Sequence, residues 1–144
     1  MAIGENVVRG NLNTITDHTS DVWSVFIDTT NNILASGSQD DTIKLYDISD
    51  PSNPTLLNTI TDHTSSVISV YIDTTNNILA SGSYDDTINL YDISDPSNPI
   101  LLNTITDHTS VVYSVFIDTT NNILASGSAD DTIKLYDISD PSNP

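Results

Sequence analysis

The chain has 144 residues, enough for one domain, with 37% hydrophobic residues and no cysteine. The missing cysteines exclude disulfides, thiol catalysis and cysteine-ligated metals. Twenty acidic side chains against three basic ones give a formal charge of −17, which excludes nucleic acid and anionic membranes as partners, because both attract basic groups.

Residues 1–10, "MAIGENVVRG", read as an N-terminal arm with no signal-peptide pattern. No apolar run approaches the roughly 18 residues that span a membrane, so the expected location is cytoplasmic. "NLNTIT" at 11–16 reads as a short strand, d. "DVWSVFID" at 21–28 is rich in β-branched and aromatic residues and reads as strand a. "DTTNN" follows as a turn, since Asp and Asn tolerate left-handed geometry. "ILASGS" is strand b, "QDD" a tight turn and "TIKLYDI" strand c. "SDPSNP" is a loop whose two prolines cannot continue a ladder. "TLLNTIT" at 55–61 is strand d again. No segment holds a 3.6-residue period, so no helix is expected.

The whole pattern then recurs. His18, His63 and His108 are spaced by 45 residues. Residues 17–61 and 62–106 differ at six of 45 positions, and residues 17–54 and 107–144 at three of 38. Copies this similar point to recent duplication or to design. Four antiparallel strands per 45 residues is the size of a propeller blade. The runs "VWSVFI" and "NILA" are apolar without alternation, as expected for blades stacked on both faces. The predicted fold is therefore all-β: a β-propeller of four-stranded antiparallel blades, three per chain.

"TDHTSDVWSVFID…ILASGSQDDTIKLYDIS" resembles the WD-repeat family of β-propellers, over residues 11–144. The family carries a His between the outermost and innermost strands, matched by His18, His63 and His108. It carries a Ser in the second strand, matched by Ser36 or Ser38, Ser81 or Ser83, and Ser126 or Ser128. Its turn Asp is matched by Asp40, Asp85 and Asp130. Its Trp-Asp pair is replaced by Tyr46-Asp47, with Tyr91 and Tyr136 at the equivalent positions, and its usual Gly before the His is Asp17. The resemblance implies a hydrogen-bonded network inside each blade, and the Tyr hydroxyl is expected to keep a place in it. "DISDPSNP" also resembles the loop of another bacterial propeller repeat.

The repeat units run 17–61, 62–106 and 107–144, in the order d-abc. Each d strand is expected on the outer edge of the blade before it. The first d strand, 11–16, then lacks a blade of its own, and the last abc lacks a d. Three blades cannot close a ring, since propellers hold about four to eight. The expected partner is therefore the chain itself, with residues 11–16 clasping the next copy. A trimer gives nine blades and a dimer six. Seven or eight blades are usual in the family, roughly 51° or 45° each, whereas nine need about 40° and six about 60°. The smaller distortion favours the trimer, with the dimer second.

Only three positions differ in all three copies: Asp21, Ser66 and Val111; Trp23, Ile68 and Tyr113; Gln39, Tyr84 and Ala129. A meander puts the d–a and b–c turns at one end, so all nine residues fall there, and residues two apart share a side. At the opposite end "DTTNN" and "DISDPSN" are identical in every copy, and Thr55 against Ile100 on strand d is the one change near there. Packing tolerance explains large apolar residues at position 23 and its equivalents. A diversified binding face explains the clustering, and the aromatic-rich set suits a protein or peptide. Glycan binding through Trp23, Tyr84 and Tyr113 is an alternative, as is a piece of a longer WD-repeat array, natural or engineered, that only assembles.

No cofactor or catalytic chemistry is expected. There is no nucleophile elbow, phosphate loop or H-E-x-x-H. A Ser–His–Asp combination exists in every blade, which argues for structure, since an active site is needed once. The histidines read as network members rather than metal ligands. Asp pairs such as Asp40-Asp41 fit turn capping better than calcium.

Overall fold

A computed structural model describes residues 10–144; the predicted arm at 1–10 lies outside the described residues except for Gly10. Among the described residues, eleven strands follow one another without a helix. They are β1 (Val22–Asp28), β2 (Ile33–Ser38), β3 (Ile43–Asp47), β4 (Thr55–Ile60), β5 (Val67–Asp73), β6 (Ile78–Ser83), β7 (Ile88–Asp92), β8 (Ile100–Ile105), β9 (Val112–Asp118), β10 (Ile123–Ser128) and β11 (Ile133–Asp137). They form antiparallel sheets β1-β2-β3-β4, β5-β6-β7-β8 and β9-β10-β11. Each d strand thus ends the blade before it. The predicted strand at 11–16 forms no ladder among the described residues.

The turns follow from residue chemistry. Asn32, Asn77 and Asn122 close the a–b turns with φ of 57°, 56° and 55°, and Asp41, Asp86 and Asp131 close the b–c turns with φ of 66°, 68° and 65°. Asn and Asp accept this region because their short polar side chains bond locally. Asp28 adds the cap, accepting from the amides of Thr30 and Asn31 at 2.8 and 3.1 Å.

The core lies between blades, in two equivalent seams. In the first, Ile33, Ala35, Ile43, Leu45 and Ile60 pack on Val67, Val70, Ile72 and Leu79. In the second, their counterparts Ile78, Ala80, Ile88, Leu90 and Ile105 pack on Val112, Val115, Ile117 and Leu124. Gly37 is required by close approach. A Cβ there would stand 2.8 Å from Val67 Cγ1 and 3.0 Å from the Val67 carbonyl, and Gly82 meets Val112 in the same way. The inner strands stack their rings, with Phe26–Tyr71 and Tyr71–Phe116 centroids both 4.6 Å apart.

The innermost strands differ from the expected two-sided burial. β5 buries Val67, Val70 and Ile72 but leaves Ile68, Ser69 and Tyr71 partly open. A β-bulge causes this pattern. Val22 pairs with Ser38 and Ser24 with Gly37, leaving Trp23 outside the register. The bulge recurs at Ile68 and Tyr113. Strict alternation is broken there, so Val22 and Val25, rather than Val22 and Ser24, match the seam residues of the later blades.

Candidate functional site

The nine variable residues gather at one end of the blades because the backbone ties them in pairs. The Gln39 amide donates to the Asp21 carbonyl at 2.8 Å, Tyr84 to Ser66 at 2.9 Å and Ala129 to Val111 at 2.9 Å. The third member of each set, Trp23, Ile68 or Tyr113, occupies the bulge, a geometry that re-aims side chains. None of the nine is buried. Trp23, Tyr84 and Tyr113 are about half exposed, at 52%, 47% and 52%. Tyr84 and Tyr113 belong to adjoining blades and meet edge to face, with centroids 6.4 Å apart. The variable end therefore carries aromatic surface that crosses a blade boundary.

Below these residues lies an identical frame. His18 Nδ1 donates to Asp40 at 2.8 Å, and the Ser36 hydroxyl lies 2.7 Å from Nε2. An ionised carboxylate only accepts, so Nδ1 carries the proton. Asp40 also accepts from the Thr19 amide at 3.0 Å and the Thr42 hydroxyl at 2.6 Å. One carboxylate thus joins the d–a turn to the b–c turn. His63 with Asp85 and Ser81 repeats the arrangement, as does His108 with Asp130 and Ser126. The second serine has a separate task. Ser83 donates to the Ser65 carbonyl at 3.1 Å and Ser128 to the Ser110 carbonyl at 2.9 Å. The Ser38 hydroxyl accepts from the Asp40 amide at 3.1 Å.

Burial alone would raise the carboxyls of Asp40 and Asp85. The Thr and His donors outweigh it and hold both well below the usual carboxylate range. At Asp130 the Thr132 hydroxyl is the largest influence, in the same direction. Among the described residues, no three His, Asp or Glu side chains are grouped to hold a metal. Asp41, Asp86 and Asp131 supply the left-handed turn position.

The tyrosine hydroxyls hold unequal places in the network. Tyr46 and Tyr136 bury their hydroxyls without a hydrogen-bond partner. Only Tyr91 has one, accepting from the Asn89 amide at 3.0 Å. The reason is one substitution between copies. Asn89 stands where the other blades have Lys44 and Lys134, and Lys44 instead donates to Thr59 at 3.0 Å. Burial is the main cause that pushes the Tyr46 hydroxyl up to about 12, with the Asp17 charge adding to it.

Sequence reasoning missed one recurrent group. The Asn58 amide in β4 donates to the Ser97 carbonyl at 2.9 Å, in the c–d loop of the next blade, and Asn103 donates to Ser142 at 3.0 Å. The signal was a lone Asn fixed in every "LNTIT".

The family comparison fits this geometry blade by blade. The model described as WD domain, G-beta repeat matches residues 9–47, 54–92 and 100–137. The LVIVD repeat matches residues 39–62 and 88–107, which include both complete c–d loops. No curated protein matches the chain. With three matches covering most of its length, the chain belongs to the WD domain, G-beta repeat family.

Proposed function

We propose that the chain is a non-enzymatic interaction scaffold that binds a protein or peptide through the variable end of its blades. One observation carries this reading. The three positions that differ in every copy are bonded or adjacent at one end, exposed or partly exposed, and held by a frame that does not differ at all. Drift limited only by packing would also reach the exposed turns of the opposite end, which are identical. Half-exposed Trp and Tyr are the residue types that dominate protein-binding hot spots. The −17 charge favours a basic partner.

The test is selection from a random peptide library, with a glycan array beside it because exposed aromatic rings also stack on sugars. The reading predicts enriched basic peptides whose affinity falls about tenfold or more on Trp23→Ala or Tyr84→Ala, a loss of about 1.4 kcal/mol or more. Peptides indifferent to both substitutions would refute it. Glycan signals lost with Trp23→Ala would replace it with a lectin-like function.

A further inference from the structure

The apolar seam and the cross-blade hydrogen bonds between blades 1 and 2 recur between blades 2 and 3, and the chain exposes both halves of a third such seam. On the first blade, Val25 is 63% exposed, whereas its counterparts Val70 and Val115 are 4% and 6% exposed. Val22 and Ile27 are likewise half exposed where Val67, Ile72, Val112 and Ile117 are buried. On the third blade, Leu135 is 70% exposed, whereas Leu45 and Leu90 are fully buried. Gly127 lacks the valine that meets Gly37 and Gly82; only Ser114 lies near it. The aromatic stack of the inner strands runs from Phe26 through Tyr71 to Phe116, where it stops with Phe116 57% exposed.

The outer edge has the same two halves. Among the described residues, β11 pairs with β10 alone, and no strand lies on its outer edge. Residues 11–16 have no ladder of their own, yet they are already placed. The Asn13 amide donates to the Ser52 carbonyl at 2.9 Å. This is the bond that Asn58 and Asn103 make from β4 and β8 to the blade that follows. Relative to the first blade, the segment stands where the outer strand of a preceding blade would stand. Ile15, the counterpart of seam residues Ile60 and Ile105, is partly exposed there.

We infer that the partner of these surfaces is a second copy of the same chain, docked head to tail. The first blade of one copy covers the third blade of the next, and its residues 11–16 add to β11 as the missing fourth strand. The occupant is fixed by continuity. The two faces already form this seam twice with equivalent residues, so a second copy supplies the complement of both. Such an interface is heterologous, so it closes into a ring or extends as a filament. The proposal uses the propeller reading for blade geometry alone. Binding at the variable end is no part of its test, so either can fail without the other.

The test is a complementation of masses by light scattering. Val22→Asp with Val25→Asp spoils the front face and leaves the back. Ile133→Asp with Leu135→Asp spoils the back face and leaves the front. All four sites are exposed in the single chain, so folding should persist, checked by circular dichroism. The unmodified chain is expected as a multiple of 15.6 kDa. Each variant alone is expected as one chain, and an equimolar mixture as two chains, joined through the one intact front and the one intact back. Variants that keep the unmodified mass, or a mixture of folded variants that stays at one chain, would overturn the proposal. Ile27→Asp and Gly127→Leu supply a second front-and-back pair, with the same outcomes, should either double variant misfold.

Discussion

Asn13 donates its side-chain amide to the carbonyl of Ser52, 39 residues along the chain, at 2.9 Å. Asn58 and Ser97 repeat the bond between blades, as do Asn103 and Ser142. The segment around Asn13 is therefore tied to the first blade as β4 and β8 are tied to the blades that follow them, and in the head-to-tail proposal it serves as the outer strand of the adjoining copy's third blade. Deleting residues 1–16 should abolish the multi-chain mass while the remaining blades keep their strand signal. Asn13→Ala should weaken assembly by about 1 kcal/mol, the typical net worth of one hydrogen bond. Sedimentation of the two variants checks both outcomes, and an unchanged oligomer after the deletion would refute the clasp.

Two glycines at equivalent positions should behave differently. Gly82 faces Val112 across a filled seam, whereas Gly127 faces the open one. Gly82→Val should destabilise the chain by about 1–3 kcal/mol through overpacking, read by urea unfolding. Gly127→Val should leave the unfolding of the single chain nearly unchanged and lower only the associated mass.

The network aspartates make stability depend on acid. Asp85 is held well below the usual carboxylate range against the opposing effect of its burial, by His63, Thr87 and Thr64. A carboxyl depressed in the folded state contributes stability that is full above its unfolded pKa of about 3.9. That contribution is lost as pH falls through the folded value. Asp85→Ala should therefore cost about 2 kcal/mol at pH 7. The gap to the unmodified chain should narrow progressively below about pH 4. Thermal melts of both chains from pH 7 to pH 2 would show it, and a gap that widened in acid would reverse the sign of the argument.

The variable residues should matter little for folding. Replacing Asp21, Trp23 and Gln39 by Ser, Ile and Tyr, the set of the second blade, should change stability by less than about 1 kcal/mol, since surface substitutions rarely do more. Leu90→Ala, in the filled seam, should cost about 2–5 kcal/mol. Chemical denaturation separates the two, and a large loss from the swap would make those positions part of the core.

Local chemistry made much of this fold legible. "ILASGS" coincides with β2 as the structure gives it, because turn residues bracket it in every copy. The left-handed residues Asn32 and Asp41 fell within the predicted turns. The outer position of β4 followed from the repeat frame. What escaped was non-local. The bulge at Trp23 is a property of pairing with β2, and nothing in "DVWSVFID" marks which residue is left out. The fate of the tyrosine hydroxyls turned on Asn89 against Lys44, two side chains from the same strand position of different blades. The Asn58–Ser97 bond crosses between blades and is invisible until they are stacked.

The decisive measurement is the absolute mass of the unmodified chain in solution, by light scattering behind a sizing column. Three times the 15.6 kDa chain mass is the expected result, a ring of nine blades turning about 40° each. Two chains would keep the head-to-tail seam and replace nine blades with six. A single folded chain, with Val25 and Leu135 left in water, would contradict the assembly.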